Sequence, residues 1–276
     1  MSSKYTFGAE LELADWDRRV QLSRHLGVKD VNDTTVMNSN GTCVNPYKEG
    51  GRGGEICTRV CTSPLDLATV CQDIFYALGL ESIKVNHSTW LHIHIGLPED
   101  TYDSLSKLKS ILKYVYKNSI QIRDYTSICP VKEGGRMKPE DRIRRNLTRT
   151  SVMTETEYNG ALAAKSLEEF WTFFERKRHM VNMLPLKYQG TIEFRCLYMT
   201  TSFTRIQQTA EFVEDFVTDM FSKNPIDVVG LLYEKSYLFP TAIEFDPVLE
   251  EVYKATLVDK QPKLDNFTLK AWGSGN

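Results

Sequence analysis

Hydrophobic and polar residues alternate with period two along several short stretches of the chain and recur at helical spacing along others. Tyr5–Leu13 alternates and predicts a strand. Asp15–Leu26 predicts a short helix closed by Gly27. Residues 30–54 are rich in Asn, Gly and Thr, end in KEGGRGG, and predict irregular chain or a hairpin. EICTRVCT is β-branched and predicts a strand. SPLDLATVCQDIFYALGL then offers a Ser cap, a first-turn Pro, and Leu67, Val70, Cys71, Ile74, Phe75 and Leu78 along one helical face. TWLHIHIGLPED predicts a strand, followed by a long amphipathic helix over about 101–122. A helix near 166–180 leads into NMLPLKYQGTIEFRCLYM, a turn and a strand. TRIQQTAEFVEDFVTDMFSK is a further amphipathic helix, and the C-terminal portion, 201–276, is otherwise less regular. No repeat or linker divides the chain, so one domain over 1–276 is expected. Strands separated by long helices, with neither a G-x-G-x-x-G nor a P-loop lysine, predict an α+β fold around a mainly antiparallel sheet.

The same alternation places unusual residues on shared strand faces. Glu10 and Glu12 stand opposite Leu11 and Leu13, and His92 and His94 stand opposite Ile93 and Ile95. Glu193 and Arg195 oppose Ile192, Phe194 and Cys196, while Glu55 is preceded by Glu49 in the loop. Singly, each pair has an ordinary reading: a solvated strand face, a surface ion pair worth under about 1 kcal/mol, or hydrogen-bonded core histidines. Taken together, carboxylates and imidazoles on one face demand positive neutralisation. Hard oxygen donors with one or two histidines suit Mg²⁺ or Mn²⁺. An arginine beside them, with a basic loop, is what a nucleoside triphosphate requires.

Composition narrows the classes. A chain of 276 residues, 41% hydrophobic and 25% charged, can bury a substantial core. Net charge of −2 gives no global field for nucleic acid or anionic membrane. The segment 130–150 is the local exception, with seven Lys and Arg against three Glu and Asp. The six cysteines (43, 57, 61, 71, 129, 196) are scattered through mostly apolar runs and read as buried thiols of a reducing compartment. No signal pattern opens MSSKYTFGAELEL and no apolar run reaches membrane-spanning length, so a cytoplasmic protein is expected.

The order FGAELEL, GGEICT, LHIHIG, RHMVNMLPL and GTIEFRCL resembles the amidoligase family, within the glutamine synthetase and γ-glutamylcysteine ligase superfamily. The resemblance spans roughly residues 5–200, with HIHIG and TIEFR its most specific parts. It implies a curved, mainly antiparallel sheet like the glutamine synthetase catalytic domain, with helices on its outer face. It also implies ATP and two or three Mg²⁺ (or Mn²⁺) ions on the concave face, and amide-bond formation between a carboxylate and an amine through an acyl phosphate. By position, Glu10, His92 and Glu193 would hold the metal bridging the β- and γ-phosphates. Glu12 and Glu55 would hold the metal nearer the acceptor carboxylate, with Glu55 and Arg195 as the catalytic pair and Glu49 a further acid nearby. His94 would orient His92 or touch substrate. Arg178 and Asn182 match family positions toward substrate or phosphate, and Arg142, Arg144, Arg145 and Arg149 are candidates for nucleotide or an acidic substrate.

Partners would be small-molecule or peptide carboxylates and amines, the protein a monomer or small homo-oligomer. The loops 30–54 and 125–165 carry no readable substrate code. Two other readings use the same residues: a small-molecule kinase that stops at phosphoryl transfer, and an inactive nucleotide- or metal-binding module. A zinc site on Cys57, Cys61 and the histidines is the least favoured reading, because no second cysteine pair stands at finger-like spacing.

Overall fold

A computed structural model describes residues 4–30, 36, 38, 51–85, 89–126, 153–174 and 179–222. Its centre is one open sheet of six antiparallel strands in the order β2-β3-β1-β4-β6-β5. The strands are β1 (Thr6–Asp17), β2 (Gly27–Asp30), β3 (Arg52–Thr58), β4 (Trp90–Gly96), β5 (Val181–Asn182) and β6 (Thr191–Tyr198). The predicted α+β class holds. Among the described residues no helix is long and apolar enough to cross a membrane.

One face of the sheet is the core. Leu11 and Leu13, Ile56, Leu91, Ile93 and Ile95, and Ile192 and Phe194 are all buried. The helices α1 (Pro64–Leu78) and α6 (Phe203–Met220) pack on each other; α1 also meets β1 and β3, and α6 meets β4. The predicted stripe of α1 (Leu67, Val70, Cys71, Ile74, Phe75 and Leu78) is buried, each large side chain contributing about 1.5–3 kcal/mol. Ser63 caps α1 by accepting from the Asp66 amide, and Pro64 follows in the first turn. Asp66 in turn accepts from both terminal nitrogens of Arg59, at 2.6 and 3.1 Å, which fixes the connection from β3 into α1. Serine also caps α6, where Ser202 accepts from the Arg205 amide.

Three predicted elements are corrected. Asp15–Leu26 is not helical: β1 runs on to Asp17 and the chain then turns into β2. Long-range pairing outweighs local propensity here. Ala14 exchanges both backbone hydrogen bonds with Lys84, and Asp15 sits at φ 66° in a bulge, its amide donating to Asn38 Oδ1 at 2.8 Å. Across the bulge Gly53 also has positive φ, 71°, which only glycine adopts cheaply. Of the helix predicted near 166–180, the described residues form a short α4 (Leu167–Thr172), and Val181 is already extended. The strand predicted through EICTRVCT ends at Thr58, with Cys61 making an isolated bridge to Phe7.

Two helices differ from expectation in extent or existence. The long helix expected over 101–122 is α2 (Leu105–Thr126), preceded by a single 3-10 turn at Glu99–Thr101. A helix within the expected loop, α3 (Glu155–Ala163), starts from a reciprocal capping box between Thr154 and Glu157. The remaining helix, α5 (Leu186–Gln189), ends on Gly190 at φ 69°, and this left-handed turn starts β6 directly at Thr191.

Candidate functional site

The second face of the sheet carries the polar residues, and strand register brings them together. Glu10 on β1 pairs with His92 on β4 and with Cys57 on β3. Glu12 pairs with Glu55, His94 with Glu193, and Asn182 with Glu193. Five adjacent strands therefore contribute to a single patch. It is not an ordinary solvated face: Glu12, His92, Asn182 and Glu193 are each only 3% exposed, and Glu55 is 9% exposed.

Glu10 is the hub. Its Oε2 lies 2.8 Å from His92 Nδ1 and its Oε1 lies 3.2 Å from His94 Nε2. Burial by itself would raise the Glu10 carboxyl. The hydrogen bonds from His92 and then His94, with the charge of both rings, outweigh it and hold the group well below the ordinary carboxylate range. His94 is oriented from its other nitrogen, with Nδ1 3.1 Å from Thr191 Oγ1. Glu193 is held from two sides: Arg195 donates to Oε1, and Asn182 donates to Oε2 at 2.8 Å. Asn182 also accepts from the Leu184 amide at 3.0 Å, so its orientation is fixed by the backbone that follows β5.

Beyond these direct bonds lie longer approaches. His92 Nε2 is 3.8 Å from Glu12 Oε1, His92 Nδ1 is 3.7 Å from Glu193 Oε1, and His94 Nε2 is 3.9 Å from the same oxygen. These are too long for hydrogen bonds and mark ionic groups gathered around common points. Three overlapping donor sets result, each with one ligand atom per residue lying within 4.8 Å of the others: Glu10–His94–Glu193, Glu10–Glu55–Cys57 and Glu12–Glu55–His92.

Charge counting tests whether a cation fits. Four carboxylates, Glu10, Glu12, Glu55 and Glu193, face two imidazoles and the Arg195 guanidinium. With every carboxylate ionised, negative charge remains even if both rings are protonated. A divalent cation would remove that excess and replace the hydrogen-bonded proton between Glu10 and His92. Oxygen and imidazole donors at this density fit such an ion. The residues that would hold it are Glu10, Glu12, Glu55, His92 and Glu193.

All five expected metal ligands and Arg195 thus share one face, with Asn182 at its edge. His94 bonds Glu10 and Thr191 and also stands in a donor set with Glu10 and Glu193, so it supports Glu10 from within the site. Arg178, Arg142, Arg144, Arg145, Arg149 and Glu49 lie outside the described residues. Cysteines are divided: Cys61 and Cys71 are buried in the core as expected, whereas Cys57 is half-buried on the polar face, its thiol 3.6 Å from Glu55 Oε1. Cys57 and Thr191 were not among the expected site residues. The signal for both was period two, since Cys57 follows Glu55 by two residues and Thr191 precedes Glu193 by two. No protein-family model and no curated protein matches the chain.

Proposed function

We propose that the protein is an ATP- and Mg²⁺-dependent carboxylate–amine ligase of the amidoligase type, on a sheet like that of the glutamine synthetase catalytic domain. The observation that carries this reading is the gathering of Glu10, Glu12, Glu55, His92, Glu193 and Arg195 on one sheet face. The resemblance of the ordered motifs supplies the choice of reaction. Such chemistry asks the protein for positioning and charge neutralisation, and requires no nucleophilic side chain.

Each residue has a task under this reading. Glu10, His92 and Glu193 would hold one divalent cation, which would neutralise nucleotide phosphates, and Glu12 and Glu55 would hold a second, which would serve the substrate carboxylate. When bound, ATP would supply the phosphoryl group that activates that carboxylate, leaving ADP, and an amine would then displace phosphate to form the amide. Arg195 offers a planar guanidinium, pre-aligned by its bond to Glu193, to the charge that develops on phosphoryl oxygens. His94 and Asn182 keep Glu10 and Glu193 in their orientations. Burial of the cluster restricts water around these charges, which strengthens every interaction among them.

Calorimetry of ATP binding with and without Mg²⁺, on wild type and Glu193→Gln, tests the reading. The glutamine keeps the shape and an acceptor for Asn182 but loses the charge. Magnesium-dependent ATP binding by wild type and its loss in the folded variant are expected. Normal Mg-ATP binding by the variant would remove Glu193 from the ligand set. Absence of ATP binding by wild type under every condition would overturn the ligase reading.

A further inference from the structure

The donors on the polar face are not uniform. Two of the three sets contain only oxygen and imidazole nitrogen, but Glu10–Glu55–Cys57 contains a sulfur. The sulfur is placed by the sheet itself. Cys57 is the antiparallel partner of Glu10, and it follows Glu55 by two residues, so all three side chains leave the same face. The thiol lies 3.6 Å from Glu55 Oε1, with ligand atoms of all three residues within 4.8 Å of one another. His92 is beside them, bonded to Glu10 at 2.8 Å.

The setting of Cys57 differs from that of the two described core thiols. Cys61 and Cys71 are fully buried on the helix-covered side of the sheet, Cys61 with its sulfur 3.7 Å from the Arg59 guanidinium and neither in a set of converging carboxylates. Cys57 is half-buried on the face that carries Glu10 and Glu55, its sulfur turned to a carboxylate. Magnesium takes oxygen donors and gains nothing from a thiol. Zinc and cobalt take thiolate, carboxylate and imidazole together.

We propose that Cys57 sets the metal preference of this face: the Glu10–Glu55–Cys57 corner takes a thiophilic divalent cation of the Zn²⁺ or Co²⁺ kind, while the corner of Glu10, His92 and Glu193 remains a hard-cation site. The inference rests on the reading of the face as a metal centre but needs neither ATP nor ligase chemistry. Binding converts the thiol to a coordinated thiolate and releases its proton to solvent. Glu10 belongs to both corners, so a thiophilic ion in one corner changes how the other holds Mg²⁺. Zinc would therefore act on this protein as a regulator, not merely as a substitute for magnesium.

Titration of the full chain with Co²⁺ under reducing conditions, without nucleotide, decides the matter. Wild type should show visible cobalt bands together with a near-ultraviolet thiolate-to-cobalt charge-transfer band. Cys57→Ser should lose the charge-transfer band and keep visible bands. Its Zn²⁺ affinity should fall by at least the roughly 10–100-fold typical of lost outer-shell partners, with Mg²⁺ affinity unchanged. Glu55→Gln provides a second variant and should weaken the same band while Cys57 is intact. A charge-transfer band that persists in Cys57→Ser assigns the sulfur to another of the six cysteines and overturns the proposal. Visible bands without any charge-transfer band overturn the proposal but leave the metal-centre reading standing. No cobalt binding at all overturns both.

Discussion

The two faces of this sheet use the same strands and obey opposite rules. On one, Leu11, Ile93 and Phe194 are buried among other apolar side chains, and each is interchangeable in kind with its neighbours. On the other, Glu10, His92 and Glu193 also gather, but each is held by a particular partner at a particular distance. The core face tolerates imprecision because dispersion and the hydrophobic effect are non-directional. The polar face does not, because a buried charge without its partner costs more than any one bond returns. The contrast separates what makes the molecule fold from what makes it selective.

That contrast can be broken most strongly from the core side. Phe194 is fully buried and meets Phe216 edge-on, with ring centroids 5.3 Å apart. Phe194→Ala should cost about 3–5 kcal/mol, read as a lowered urea midpoint with unchanged slope. A loss below about 1 kcal/mol would mean that the helices do not depend on this face as described.

The polar face should respond more weakly in stability. Asn182→Ala strips the 2.8 Å donor from Glu193 and should cost about 1–3 kcal/mol in metal-free protein. Saturating Mg²⁺ should recover part of that loss, because the ion supplies another partner to the same carboxylate. Equal stability with and without Asn182 would show that Arg195 alone satisfies Glu193.

The smallest effect is one of pH. Glu10 is lowered from an ordinary value of 4.5 by its two histidines against the opposing effect of burial. A carboxyl lowered on folding contributes stability that is fully present above its unfolded value and lost as pH falls through the folded one. Metal-free wild type should therefore exceed Glu10→Gln in stability above pH 4.5, and the advantage should shrink with acid below it. Thermal midpoints of both proteins, measured from pH 7 down to acid, check this. A constant difference across the range would detach Glu10 from the histidine pair.

Much of this was legible in the sequence because strand alternation and helix spacing are local. The buried face of α1 could be read residue by residue, and so could the division of His92 and His94 from Ile93 and Ile95. The pairings that close the site are not local. Nothing near Asp15 announces that Ala14 will pair with Lys84, so a segment of helical appearance became the end of a long strand. The capping box between Thr154 and Glu157 is a local signal for α3, set within a stretch whose composition otherwise reads as loop. Cys57 stands near Cys61 in sequence, whereas the sheet pairs it with Glu10 from another strand. The convergence of Glu10, Glu12, Glu55, His92 and Glu193 could be suspected from shared faces, but only the register of β3, β1, β4 and β6 makes it a patch.

Register also has a bearing on how the chain reaches this structure. β1 lies between β3 and β4, pairing with β4 from Thr6 to Leu11 and with β3 from Glu10 to Asp17, so that Glu10 and Leu11 are paired on both sides. A slip of one residue would turn Glu10 and Glu12 into the core and Leu11 and Leu13 onto the polar face. Either error is costly alone, and the slip commits both at once. Misaligned intermediates are thus penalised twice by the same central strand, so an intact core is itself a certificate that the acidic patch has been assembled in the right order.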